Sequence, residues 1–239
     1  MNLYAYCLSD EVTDEMVESV VGLAGAKPQL VRCGEIVGVA SEIDGGQVEV
    51  TRENVLAHER VVRRVLAETT PLPFRFGTVV SEARLRSYVD SQRDSLKAQL
   101  GRVRDCVEMS VKVIWNLEEV WREAARVGEH EVEPRNTRKG SGTMFLVMKR
   151  REILGDRIMK ERAEEIARWL AESLGGTVRE TKVTVQPGAS MVISAAHLVE
   201  RALLKEYREA LEGARHARGE LHFLTSGAWP PYSFTSVGS

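Results

Sequence analysis

The segment Pro71-Leu72-Pro73-Phe74-Arg75-Phe76-Gly77-Thr78-Val79-Val80 constrains the fold more than any other part of the chain. Proline has no backbone N–H to give to a sheet ladder, so Pro71 and Pro73 belong on an edge strand or at its entry. The spacing predicts one extended run, with Phe74, Phe76, Thr78 and Val80 on one face and Arg75 on the other, beside Gly77. A second aromatic–proline segment, Gly227-Ala228-Trp229-Pro230-Pro231-Tyr232-Ser233-Phe234, lies near the C-terminus.

Around these two segments the hydrophobic pattern repeats one order of elements. Leu3, Ala5 and Cys7 alternate with Tyr4, Tyr6 and Leu8 as an opening strand. Ser9-Asp10 then offers capping oxygens for a helix through Met16, Val20 and Leu23. Leu30–Cys33 and Ile36–Ile43 read as a hairpin across Gly34-Glu35, with glycine placed for a type II′ turn. Asp44-Gly45-Gly46 marks a further turn. Thr51 is the expected N-cap of a helix whose apolar side carries Val55, Val62, Val65 and Leu66. The Pro71–Val80 run closes a strand–helix–strand–strand–helix–strand unit, the split βαβ or ferredoxin-like order.

Ser81 opens a polar helix to about Leu100, with Leu85, Tyr88, Val89, Leu96 and Leu100 as its thin apolar stripe. Alternation returns with Val107, Met109, Val111, Val113 and Trp115 opposite Glu108, Ser110 and Lys112. A short helix (Leu117, Val120, Trp121, Ala124), a charged loop from Gly128 to Gly142 and a long helix from Met144 to Leu174 follow, ended by Gly175-Gly176. Strands at Val178–Val185 and Met191–Leu198 flank Gln186-Pro187-Gly188. An amphipathic helix over Val199, Ala202, Leu203, Tyr207, Ala210, Leu211 and Ala214 precedes a last strand at Glu220–Thr225. The fold expected is α+β, two modules of split βαβ (ferredoxin-like) order joined by a helical connector. The boundaries expected are an N-terminal domain over 1–80, the connector over 81–101, and a C-terminal domain over 102–239 that includes the aromatic–proline tail.

Composition narrows the function classes. With 239 residues, 43% hydrophobic and 28% charged, the chain reads as a globular protein with room for a real core. A net charge of −2 supplies no general attraction to nucleic acid, and the RNP1 pattern that an RNA-binding sheet uses is missing. Three widely spaced cysteines without C-x-x-C point to a reducing cytoplasm and to neither a disulfide framework nor a zinc site. The N-terminus does not read as a secretory signal, and runs such as Met144–Met148 are too short to cross a bilayer.

The search for catalytic chemistry returns isolated residues. His58, His130, His197, His216 and His222 form no H-x-x-x-H or H-E-x-x-H spacing. His58 is expected to be solvated or bonded within its own helix. No phosphate-loop motif occurs, and Lys139-Gly140-Ser141-Gly142 reads as a linker. Ser190 and Ser226 lack a nucleophile-elbow context. No catalytic residue, metal or cofactor is assigned, and the chain is read as a non-enzyme. A hydrolase or transferase using His58 or His197 would require a second catalytic group within reach. A ligand-sensing regulator built from two ferredoxin-like modules is the alternative function.

Four segments, taken together and in order, resemble the gas vesicle synthesis proteins of the GvpF/GvpL type. They are Leu56-Ala57-His58-Glu59-Arg60-Val61-Val62, Leu72–Val79, Gly142-Thr143-Met144-Phe145-Leu146 and Leu224–Phe234. The chain departs from the family's usual residues at Ala228, Phe74 and Phe145, where proline, leucine and tyrosine are common, and the F or L subtype stays open. The resemblance implies a two-domain α+β accessory protein that assembles gas vesicles. It implies contact with the small hydrophobic shell protein GvpA and with other gas vesicle accessory proteins, and a minor place in the wall or on its gas-facing surface. Phe74, Arg75, Phe76, Trp229, Tyr232 and Phe234 are the candidate partner-binding residues, chosen because an aromatic–proline segment closes each module.

Overall fold

A computed structural model describes residues 2–115, 157, 160–185 and 193–237. The expected helix near Leu117–Ala124, the charged loop Gly128–Gly142, the first half of the long helix and the turn at Gln186-Pro187-Gly188 lie outside the described residues. The chain forms two compact units. The first comprises Met1–Met109, Leu198–Arg201 and Gly227–Ser239, and the second Ser110–His197 and Ala202–Ser226.

In the first unit the strands are β1 (Asn2–Ser9), β2 (Gln29–Cys33), β3 (Ile36–Ile43), β4 (Leu72–Pro73) and β5 (Val79–Ser81). The sheet runs β2-β3-β1-β4, with β5 also on β1, and every pairing is antiparallel. This is the strand order of a split βαβ unit. β1 is central and Leu3 to Leu8 are fully buried, so its residues are apolar or aromatic on both faces. Its alternation is broken once. The register passes from Ala5↔Ala40 to Cys7↔Val39, which leaves Tyr6 as the extra residue of a β-bulge. Tyr4, Tyr6 and Cys7 consequently belong to one core cluster with Val61, Val62 and Val65.

The β2–β3 hairpin forms as its residues dictate. Cys33 faces Ile36 across Gly34-Glu35, and Gly34 takes φ 73° at the first loop position, as a type II′ connection needs. The first helix is shorter than its pattern suggests. α1 covers only Asp14–Glu18, and a 3₁₀ turn follows at Leu23–Gly25. Past α1 the backbone finds other partners than helical ones: Leu23 N–H donates to the Tyr6 hydroxyl of β1 at 2.8 Å, and Gly22 N–H closes a local turn onto the Ala26 carbonyl at 2.9 Å.

α2 (Arg52–Leu66) starts at Thr51, whose hydroxyl accepts from Asn54 N–H at 3.1 Å. It buries Ala57, His58, Val61, Val62, Val65 and Leu66. Val55, expected on that side, is 39% exposed. At the other end Arg201 donates to the Leu66 carbonyl, which satisfies one of the orphan acceptors of the last turn.

The Pro71–Val80 run is not one strand. β4 and β5 both pair with β1, but the register jumps by three residues between Pro73 and Val79. Phe74 N–H still donates to Tyr6 O, and Ala5 N–H to Thr78 O, so Arg75, Phe76 and Gly77 are the residues expelled. Gly77 at φ 87° and the Thr78 hydroxyl on the Arg75 carbonyl (2.7 Å) close this turn. The connector also divides, at Gln92, into α3 (Glu82–Ser91) and α4 (Arg93–Val103), which bury Leu85, Val89, Leu96, Leu100 and Val103.

A second sheet contains β6 (Cys106–Ile114), β7 (Glu180–Val185), β8 (Ile193–Glu200) and β9 (His222–Trp229), in the order β7-β8-β6-β9. Numbered within its own module, that is the order of the first sheet. The helix over 160–174 (α5) buries Ala163, Ile166, Leu170 and Leu174, and α6 (Leu204–Ala217) buries Tyr207, Leu211 and Ala214. The fold is thus α+β with two modules of the same strand order.

Candidate functional site

The two aromatic–proline segments meet in the first unit, around His58. One ring nitrogen of this buried histidine, Nδ1, lies 2.9 Å from the Tyr4 hydroxyl, and the other, Nε2, lies 3.0 Å from the Tyr232 hydroxyl. Gly77 N–H donates to the same Tyr4 oxygen at 3.2 Å. A tyrosine hydroxyl can donate or accept, so in the neutral ring one nitrogen donates to its tyrosine and the other accepts from its own, the tautomer setting which. The expectation that His58 is solvated or bonded within its helix is replaced by bonds to residues 54 and 174 positions away.

Phe76 seals this pair from the side of the expelled turn. Its ring lies 5.9 Å from His58 at 76° and 6.1 Å from Tyr4 at 62°, both edge-to-face. Tyr6 stacks edge-on against Tyr4 at 5.0 Å and sends its hydroxyl proton to Ser41 Oγ. Burial sets the protonation of the group. Desolvation lowers the His58 pKa to about 4, against a smaller opposing effect of a hydrogen bond to the Phe74 backbone, and raises that of Tyr4 to about 12. Tyr232 is pushed up as well, by the same cause. Near neutral pH all three are uncharged, and both nitrogens of His58 are engaged with tyrosine hydroxyls. No lone pair is left for a substrate. In the second unit His197 Nδ1 likewise lies 2.8 Å from the Tyr207 hydroxyl, and burial lowers the His197 pKa to about 4.

The tail that supplies Tyr232 is held along its length. Arg63 of α2 sits 4.6 Å from the centre of the Trp229 ring and pairs with Glu59 at 3.1 Å. Glu108, on the polar side of β6 in the sequence pattern, is buried. It accepts from both the backbone N–H and the hydroxyl of Ser233, each at 2.7 Å. Arg102 donates to the Phe234 carbonyl, and Ser236 N–H donates to Gln99 Oε1 at 2.9 Å.

The six candidate residues divide by exposure. Phe74 and Phe234 are core side chains at 2% and 1% exposure. Arg75 is exposed, Phe76 and Trp229 are half-buried, and Tyr232 is 38% exposed, with its hydroxyl turned inward to His58. Phe76 and Tyr232 come together on His58, and Trp229 lies beside them over Arg63 of the same helix. His58, Glu108 and Arg63 were not among the candidates. Sequence gave a faint signal for two of them: a histidine on the apolar side of α2 and a carboxylate in an otherwise hydrophobic strand.

Among the described residues no group of three or more histidine, cysteine, aspartate or glutamate side chains is placed to hold a metal ion. No described helix is long and apolar enough to cross a membrane. An open groove of about 540 Å³ near Leu23, Ile43 and Val48 carries Glu42, Asp44 and Glu49 on its walls.

Comparison with known proteins identifies the family and the fold. Residues 2–236 match the family model described as gas vesicle synthesis protein GvpL/GvpF. The chain is 28% identical over 261 residues to gas vesicle protein L of a Streptomyces strain, an alignment covering 98% of this chain and 92% of that one. Its fold resembles the crystal structure of the gas vesicle protein GvpF from Anabaena, with a TM-score of 0.80 at 19% identity, over 100% of this chain and 97% of the other. The GvpF structure from Microcystis aeruginosa gives a TM-score of 0.81, also at 19% identity, over 99% of each chain.

Proposed function

Since the chain belongs to the GvpL/GvpF family of gas vesicle synthesis proteins, we propose that it acts in gas vesicle assembly by binding the small hydrophobic shell protein, GvpA, before that subunit joins the wall. In this reading it works in the cytoplasm without catalysis, alongside other gas vesicle accessory proteins, and a minor fraction stays at the gas-facing side of the wall. The observation that carries the reading is the convergence of Phe76, Tyr232 and Trp229 on one helix, with Arg75 exposed on the same turn as Phe76. A shell subunit has an apolar face that aggregates unless it is covered. Half-buried aromatic rings offer that face area at low entropic cost, and Arg75 adds a charge-assisted hydrogen bond at the rim. Phe74 and Phe234 serve as the packed floor on which this surface rests.

The test is a pull-down of purified shell protein by the wild-type chain and by the Phe76→Ala, Trp229→Ala and Arg75→Glu variants. Binding that weakens by roughly tenfold or more in each folded variant, about 1.4 kcal/mol, is the expected result. Full binding by all three would remove this surface from the mechanism. Loss of all shell binding by the wild type itself, with capture of another accessory protein, would recast the chain as an adaptor.

A further inference from the structure

The tail is held in the way a peptide ligand is held. Three contacts address backbone groups: Glu108 takes the Ser233 N–H, Arg102 gives to the Phe234 carbonyl, and Gln99 takes the Ser236 N–H. Side chains are read by His58 on the Tyr232 hydroxyl, Arg63 on the Trp229 ring and Glu108 on the Ser233 hydroxyl. Phe234 and Val237 are the buried anchors, at 1% and 5% exposure. Pro230 and Pro231 fix φ ahead of them, so little backbone freedom is lost on seating. The supports come from α2, α4 and β6, and all belong to the first unit without the tail.

The chain enters this seat from the second unit at Gly227, which has φ 129°. Gly227 lies within β9, where a Cβ would meet the Glu108 carbonyl at 2.8 Å, so glycine is needed for this close approach, and the tail proper begins after the strand ends at Trp229. We propose that the seat is a recognition site for Trp-Pro-Pro-Tyr-Ser-Phe segments that turn at Tyr232–Phe234, and that its second occupant is the tail of another copy of this chain. Exchange recreates every contact named above. Its cost is the association entropy, set against the effective concentration of the chain's own tail, so it grows with protein concentration. Copies gathered at a growing vesicle would be linked tail to seat.

Cross-linking the full chain tests this. Gln99→Cys and Ser236→Cys place thiols on two residues that touch, and the native Cys7, Cys33 and Cys106 are buried. A short bis-maleimide linker, which spans the reach of the replaced glutamine side chain, should join the two thiols of the double variant within one chain, which reports an intact seat. When the two single variants are mixed at high concentration, a heterodimer linked 99 to 236 should form. It should exceed by about tenfold the product of Ser236→Cys mixed with Ser91→Cys, whose thiol lies on α3 away from the tail contacts, and excess synthetic peptide spanning 227–239 should suppress it. Closure within the double variant with no heterodimer above the Ser91 level would overturn exchange. Failure of the double variant to close would overturn the seat itself. Loss of exchange alone leaves the surface proposed for the shell protein intact, since the tail stays on its own α2, and shell binding is read separately by the pull-down.

Discussion

Acidification is expected to weaken the first unit through His58 in particular. The ring is buried and both nitrogens are occupied by tyrosine hydroxyls, so a proton added to it must be desolvated there, whereas in the unfolded chain it is freely hydrated. The folded pKa is about 4 against an ordinary value of 6.5. Because the folded value is depressed, the stability that neutral His58 contributes is complete above the unfolded pKa. It is lost as pH falls from there through the folded pKa, the unfolded state binding the extra proton. At about pH 5 the loss from this one residue is roughly 2 kcal/mol, approaching about 3 kcal/mol below the folded pKa. The assay is urea unfolding at about pH 7 and about pH 5 for the wild type and for His58→Gln, which keeps a hydrogen-bonding side chain but cannot titrate. Carboxylates titrate in both proteins and cancel. The wild type should lose roughly 2 kcal/mol more than the variant over that interval. Equal losses, or an NMR titration of the His58 ring with a midpoint near its ordinary value, would refute the argument.

Other consequences are read the same way. Tyr4→Phe removes the acceptor of Gly77 N–H and the partner of Nδ1 together, so it should cost about 1–3 kcal/mol in urea unfolding, more than Tyr232→Phe, which frees one partner. Glu108→Ala leaves the Ser233 N–H and hydroxyl without their acceptor. Hydrogen exchange at the Ser233 amide should speed up by roughly tenfold or more, the loss of about 1.4 kcal/mol or above. Gly22→Ala would place a Cβ 2.3 Å from the Tyr6 hydroxyl and 3.0 Å from the Ala26 carbonyl, and should lower stability by about 1–3 kcal/mol in the same unfolding assay. Thr51→Ala removes the α2 cap and should cost about 1 kcal/mol.

The element order was legible because it rests on local rules. Period-two runs, a glycine placed for a tight hairpin, and threonine ahead of α2 each act within a few residues, and together they specify both βαββαβ modules. What was not legible depends on distant partners. Nothing near residue 58 announces that its nitrogens meet hydroxyls from β1 and from the tail. The Pro71–Val80 run has the pattern of one strand, yet Phe74 and Thr78 bond adjacent positions of β1, which pushes Arg75, Phe76 and Gly77 out. The bulge at Tyr6 similarly answers to the register of β3, not to any signal in β1. Glu108 looked like a solvent-side residue because alternation assigns faces without saying what covers them, and here a tail serine covers it. Val55 was placed inward by its helical spacing to Val62, yet it sits in the first turn of α2 and is 39% exposed. The aromatic–proline segments were recognisable as two separate features. Their meeting point was a property of the fold.

Hydrogen-exchange footprinting of the full chain, alone and saturated with purified shell protein, addresses the central claim most directly. Slowed exchange is expected in peptides covering residues 74–78 and 227–234, the two segments that meet on His58, with little change across α6. Protection confined to the second unit, or none in either segment while the shell protein is demonstrably bound, would contradict it.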